Sequence, residues 1–452
     1  MKYFKLISKL SNMDRCHNGP EMHKAYKILC NNYTGSKILK YKSGRKIYHW
    51  IIPPYWNCKK AILKDNKNKV IIDKKNNNLN VFSYSPKVNK KVSLEELNKH
   101  LISDPKRPNS TIFHFRNQYR HWKPDWGFSI PHFKRKKLKK GIYKVEIDSN
   151  ISFKKDMIQA DYFKKGKLKD EILLIGHFDH PSMVNDGLAG TVLAFEIVKK
   201  LKNMKTRFSY RAFASVENIG SVAYLNQKSN LAKNFKEALF LGIPGINSPI
   251  IYQQSYNQKS RIDKIIQHLS KFNKTKNKSI FKHRELIGND ENVFDSVGYN
   301  IPTGTLMRYP FKEYHSDKDN MEITSEKKLN EYINYVLKII FVLENDFYIK
   351  ANYKGIPSLS NPGIDLYLSP SKVSNLNEKN IISKNFLKEI NGKKDVLFNK
   401  NKKNLNLFMR NILRLADGNN SILDICNMSK IPFFFALDYC NKLKEKKIIK
   451  FL

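Results

Sequence analysis

Cysteine is scarce in this chain. Its five residues (Cys16, Cys30, Cys58, Cys426 and Cys440) are odd in number, scattered, and never in a CxxC pair. That usage fits a reducing compartment and argues against a cysteine zinc site. Long apolar runs are missing too. Nothing approaches the roughly eighteen consecutive apolar residues of a membrane-spanning helix. The opening Met1-Lys2-Tyr3-Phe4-Lys5-Leu6-Ile7-Ser8-Lys9 interrupts its apolar residues with lysine too often for a signal-peptide core. The expected location is the cytoplasm, with no membrane partner. Acidic residues are outnumbered, 40 against 83 basic ones, for a net charge of +43. Such a charge invites a nucleic-acid reading. Arginine is sparse, however: 13 residues against 70 lysines, and the lysines sit everywhere beside many asparagines. Phosphate-reading surfaces favour arginine and cluster their charge. The excess therefore reads as the Lys/Asn enrichment of an AT-rich genome, and the runs at Lys134–Lys140 and Lys444–Lys447 as solvated faces.

What is present is enough apolar material, 41% hydrophobic and 12% aromatic over 452 residues, for two or three cores. No internal repeat is visible. Residues 1–50 read as a helical lead-in, clearest at Met22–Cys30. From 51 to about 150, short apolar runs (Ala61–Leu63, Val70–Ile72, Val81–Tyr84) divided by Asp/Asn/Lys turns predict strands of a small β-rich module. Its later part carries Phe113, Phe115, Tyr119, Trp122, Trp126 and Phe128, read as packing against a neighbour in preference to a pocket lining. From about 165 to 345, strand-like runs at Glu171–His177, Phe208–Val216, Ala238–Ile243 and Ile301–Met307 alternate with helical periodicity at Leu188–Leu201 and Glu326–Leu343. That alternation predicts an α/β domain, a mostly parallel mixed sheet with helices on both faces. A linker at Gly355–Lys379 precedes a compact basic module at 380–452, three helices and a terminal strand, which resembles a winged helix. Phe433-Phe434-Phe435, at the position of the recognition helix, suits packing better than a phosphate groove. The expected organisation is an α/β core from 1–50 and 151–350, an inserted module at 51–150, and the module at 380–452.

Chemistry concentrates in Ile175-Gly176-His177-Phe178-Asp179-His180-Pro181, followed by Val184-Asn185-Asp186-Gly187-Leu188-Ala189-Gly190. A histidine leaving a strand, with an acid two residues on, suits a metal ligand and the carboxylate that fixes its tautomer. Asp186 opens a turn into a helix, from which it can reach the same ion. His177 and Glu217 both fall at predicted strand C-termini, where parallel sheets bind ligands.

The pattern H-x-D then N-D-x-x-(S/A)-G resembles the zinc aminopeptidases of the co-catalytic exopeptidase group. Their Glu-Glu-x-Gly strand end is matched by Glu217-Asn218-Ile219-Gly220, and their last histidine by Tyr314-His315-Ser316-Asp317. Closer still is an aminopeptidase-like family with an inserted β module and a C-terminal winged helix, some of it encoded among bacterial surface-polysaccharide genes. The segments His180–Asp186, Asp125-Trp126-Gly127-Phe128 and Gly304–Arg308 look like that family's signatures. The resemblance implies His177, Asp186 and His315 as metal ligands, Asp179 as a support behind them, and Glu217 as general base. It implies a metal-dependent hydrolase that cleaves an amide next to a free amine, in a peptide or an amino-acylated small molecule.

Two departures matter. Asn218 stands where the dinuclear enzymes have a second glutamate, and Leu241–Asn247 offers no further acid. Three ligands and an open position are a sound catalytic site for one zinc per chain. Asp290 and Glu291 read equally as an amine anchor or extra ligand and as a helix N-cap pair. The rival readings are a degenerate, non-catalytic binding scaffold and a nucleic-acid-associated regulator working through the tail.

Overall fold

The computed structural model describes residues 1–272, 279–367 and 402–452. The linker expected at Gly355–Lys379 and the start of the module expected at 380–452 fall in part outside the described residues. The chain divides into two compact units, one of Met1–Gln258 with Phe281–Tyr332, the other of Lys259–Ile280 with Ile333–Leu452.

The first unit is mixed α/β. Seven strands of its large sheet lie in the order Lys37–Tyr41, Met157–Lys164, Ser209–Ser215, Glu171–His177, Phe235–Leu241, Thr303–Arg308 and Ile250–Gln253. The middle four run parallel, Met157–Lys164 and Ile250–Gln253 flank them antiparallel, and Lys37–Tyr41 pairs antiparallel with Met157–Lys164. Glu171–His177 and Ser209–Ser215 are buried at every position, as central parallel strands must be, because both faces are covered. The four runs read from sequence as strands all form strands, shifted by a few residues. The helix Leu188–Lys202 packs on three of these strands, and its lysines, Lys199, Lys200 and Lys202, sit in the last turn, where the helix dipole favours cations.

A four-stranded antiparallel sheet, in the order Val70–Asp73, Tyr55–Lys64, Ile142–Ser152 and Val88–Ser93, follows the alternation of its sequence. Tyr143, Val145 and Ile147 point inward to a core that also holds Trp56, Tyr84, Trp126 and Phe128. The strand expected at Val81–Tyr84 does not form. Val81 makes one isolated bridge to Phe128, and the chain then turns, with Ser85 N–H donating to Phe82 O and Tyr84 at φ +65°. The turn delivers the Tyr84 hydroxyl to Pro54 O and stacks its ring on Trp56, contacts that an extended run would forgo.

In the second unit, helix Arg261–Lys271 starts from a Ser260/Asp263 capping box, and helix Ile422–Ser429 from a Ser421/Asp424 one. Tyr348–Ala351 is the middle strand of a three-stranded antiparallel sheet with Asp417–Ser421 and Ile449–Phe451. In helix Phe433–Glu445, Phe433 is buried, Phe434 stacks on Phe341, and Phe435 meets Phe408 edge-on. The aromatic triplet is packed.

Candidate metal centre

His177 and Ser215 are register partners on adjacent parallel strands, so both chains leave the sheet at one level. The segments 178–187 and 216–220 therefore share the crevice beyond the carboxyl ends. Glu217 N–H donates to Asp179 Oδ1 at 3.1 Å and ties the two exits together. The exits are tightly wound, with φ +80° at His180 and +55° at Asn218. Gly187, at φ +110°, closes the turn before the helix. A Cβ there would lie 2.5 Å from His177 Nδ1, so no other residue fits. Asp319 holds this turn from the far side, accepting from Asn185 N–H and Asp186 N–H at 2.8 Å each.

Three imidazoles converge on Asp186. His177 Nε2 is 3.2 Å from Oδ1, His315 Nε2 is 3.3 Å from Oδ2, and His180 Nδ1 is 3.9 Å from Oδ2. His180 Nε2 also lies 3.7 Å from Glu217 Oε2, which accepts from the Tyr119 hydroxyl at 2.6 Å. Asp179 sits behind, 3.4 Å from His177 Nδ1 and 3.1 Å from His17 Nε2. His177, His180 and Asp186 each offer a ligand atom within 4.8 Å of the others, and so do Asp179, His180 and Glu217. Aromatic rings wall the cluster: Phe113 against His180 and His315, Phe115 and Tyr314 against His315. The 113–128 aromatics thus divide. Phe113, Phe115 and Tyr119 line the site, whereas Trp126 and Phe128 pack in the core of the antiparallel sheet.

The cluster is electrostatically short of a cation. Burial disfavours charge on Asp179, Asp186 and Glu217, yet the surrounding histidines hold all three below the usual carboxylate range. No lysine or arginine pairs with any of them among the described residues. Burial opposes charge on His177 and His180 as well, but the neighbouring carboxylates raise both. Burial pushes His315 down to about 4 against the pull of Asp186. Asp186 Oδ2 is buried without a hydrogen-bond partner, a cost that a divalent ion beside it would relieve. The imidazole-and-carboxylate donor set fits zinc.

All five residues assigned from sequence, His177, Asp179, Asp186, Glu217 and His315, come together here. Asp290 and Glu291 lie in the same unit with their carboxylates engaged by the chain. Asp290 does not cap its own short helix. It accepts from Ser215 Oγ, Asn218 N–H and Ser221 Oγ, at the start of the helix Ile219–Gln227. Glu291 accepts from Asn289 N–H. Sequence reasoning gave no role to His180, His17 or Asp319. His180 stood in the H-x-D-H segment itself, which was a usable signal. His17 carries none.

The profile of the family described as a domain of unknown function (DUF4910) matches residues 4–346. A Clostridium acetobutylicum protein, provisionally named a polysaccharide biosynthesis protein with an aminopeptidase-like domain, is 31% identical over 438 residues, 95% of this chain and 92% of its own. A solved structure of a provisionally named peptidase from Clostridium acetobutylicum aligns with a TM-score of 0.81 and 28% identity, covering 100% of this chain and 96% of that one. A zinc aminopeptidase from Bacillus subtilis aligns with a TM-score of 0.55 and 13% identity, over 75% of this chain and 94% of that one, a likeness of fold alone. With a profile match across three quarters of its length and a relative aligned nearly end to end, the chain belongs to the DUF4910 family, built on the zinc-aminopeptidase fold.

Proposed function

We propose that the chain is a metal-dependent hydrolase of the aminopeptidase type, cleaving an amide next to a free amine in a peptide or an amino-acylated small molecule. Glu217 carries this proposal. Its carboxylate lies at the sheet's carboxyl edge, kept ionised by its neighbours, 3.7 Å from His180 and held by Tyr119. One zinc per chain would be held by His177, Asp186 and His315, with Asp179 orienting the His177 ring and His180 as a further donor. Bound there, zinc would supply Lewis acidity, which no side chain of the cluster offers. Glu217 takes a proton from water as the water oxygen adds to the amide carbon. It returns that proton to the nitrogen as the C–N bond breaks, leaving a carboxylate and an amine. Asp290, raised by burial to about 6, and Glu291, raised by burial to about 7, are the candidates for receiving the substrate's free amine.

In this proposal the 51–150 module is an insertion that lends Tyr119 to the core's site. The module at 380–452 is a winged helix used for packing, and the protein works in the cytoplasm. Metal per chain and turnover of Glu217→Gln on a panel of aminoacyl amides and short peptides test the assignment. Retained zinc with turnover lowered by roughly 10²–10⁴-fold supports it, and an unaltered rate removes Glu217 from the mechanism. A zinc-loaded wild type inert across the panel favours the non-catalytic scaffold, to which Asn218 and the acid-free Leu241–Asn247 also point.

A further inference from the structure

Behind Tyr119 lies a cavity of about 450 Å³. Tyr119 belongs to both places: its ring lines the cavity, and its hydroxyl reaches Glu217. Whatever fills the cavity is therefore a group close to the bond that Glu217 addresses.

The chain has four tryptophans. Trp56 and Trp126 are buried in the core of the antiparallel sheet. The other two, Trp50 and Trp122, both line this cavity, and Trp122 is 61% exposed. An indole left in water forgoes the burial that a ring of this size otherwise gains, so two on one cavity mark a stacking surface. Trp50 meets Tyr119 edge-on with ring centres 6.4 Å apart, and His121 meets Trp122 edge-on at 5.2 Å, so the walls are built in advance.

Among the described residues, no lysine, arginine, aspartate or glutamate lines the cavity. A phosphate or a charged side chain would find no counter-ion there. Two lining residues nonetheless keep an unpartnered, buried polar atom, Gln118 Nε2 and His121 Nε2. Their hydrogen-bonding senses are fixed. Gln118 Oε1 accepts from His17 N–H at 3.1 Å, which makes the free Nε2 a donor. His121 Nδ1 faces Gln118 O at 3.4 Å and must donate to it, which makes the free Nε2 an acceptor. Burial pushes His121 down to about 4, so the ring is neutral near pH 7.

We propose that this cavity is the subsite for an uncharged, hydroxyl-bearing ring, a pyranose, stacked on Trp122 and Trp50, with hydroxyls meeting Gln118 and His121. A hydroxyl both donates and accepts, so a sugar edge suits the donor Gln118 Nε2 and the acceptor His121 Nε2, both buried, once these lining side chains turn toward it; an aryl side chain would suit neither. The proposal rests on the hydrolase assignment and sharpens it. The amide cleaved would join an amino acid to an amino sugar, and hydrolysis would add water across that C–N bond to release the amino acid and the sugar amine.

The test reads binding, not turnover. Zinc-loaded full-length protein is titrated with N-acetylglucosamine, N-acetylphenylalaninamide and glucosamine 6-phosphate, following tryptophan fluorescence and saturation-transfer NMR. The expected result is saturable binding of N-acetylglucosamine, weakened about fivefold or more in Trp122→Ala and largely restored in Trp122→Tyr, with zinc content and melting temperature unchanged. Preferred binding of the aryl probe, preferred binding of the phosphorylated sugar, or sugar binding indifferent to Trp122→Ala would each overturn the proposal. An inactive protein that binds the sugar at Trp122 would remove the hydrolase assignment and leave the subsite standing.

Discussion

The phenol of Tyr119 donates to Glu217 Oε2 at 2.6 Å, from a segment 98 residues earlier in the chain. A hydrogen bond to an ionised acceptor is among the stronger kinds, on the order of 1.5–3 kcal/mol. It sets the rotamer of the carboxylate on which the proposed proton transfer depends.

Tyr119→Phe keeps the ring and removes that bond. Turnover on any responsive aminoacyl amide should fall by roughly tenfold, with zinc per chain unchanged. Steady-state kinetics beside elemental analysis separate the two, and lost zinc would make Tyr119 part of the metal's support instead.

Metal content distinguishes the possible ligand sets. His315→Ala should remove most of the zinc while the fold persists, and full occupancy in that variant would strike His315 from the set. His180 lies within reach of both Asp186 and Glu217, so His180→Ala should weaken zinc retention during dialysis against a chelator. If occupancy instead falls only in His180→Ala, the compact group of His177, His180 and Asp186 is the true site.

Arg211 is a buried hub on the strand Ser209–Ser215, donating to Glu171 from Nε at 2.8 Å and to Asp161 from Nη1 at 2.9 Å. Arg211→Met strands two buried carboxylates, a loss of about 3–5 kcal/mol. Chemical denaturation should show it. The folded fraction should still bind zinc, because Glu171 starts the strand whose other end carries His177.

His268 provides a pH signature in the second unit. Its Nε2 accepts from Phe433 N–H at 3.1 Å, and its Nδ1 pairs with Asn427 Oδ1 at 3.0 Å. Burial lowers it from 6.5 to about 4. The folded state therefore favours the neutral ring, and the unfolded chain binds the extra proton between those values. This stability is complete above about pH 6.5 and drains away as pH falls toward 4, by at most about 3 kcal/mol. Melting curves of wild type and His268→Gln should converge over that window, and parallel pH profiles would show that His268 does not contribute.

The sheet and the five central side chains were legible because their signals are local. Glu171–His177 is an unbroken apolar run that stops at a histidine, and Asp186 sits beside a glycine that only a tight turn explains. His180 was visible but unassigned, since its placement depends on a positive φ that no spacing announces. His17 and Tyr119 reach the site from other segments by tertiary packing, which leaves no periodicity to read. Asp290 shows the same limit. It caps a helix's start, as its residue type implies, but the helix is Ile219–Gln227, about seventy positions upstream. Val81–Tyr84 had strand composition and became a turn, because Tyr84 gains a hydrogen bond and a stacking partner there that the ladder would not give it.

Asp179 stands between His177 and His17, and Asp186 between His177 and His315. The centre therefore draws on both ends of a stretch of some three hundred residues. On a translating ribosome at roughly 5–20 residues per second, His17 emerges on the order of 15–60 s before His315. During that interval the nascent chain holds only fragments of the site. If the cluster takes the proposed zinc, its loading would be a late event in the protein's biosynthesis, and starving cells of zinc should leave a chain that has finished folding its sheet before it meets any metal.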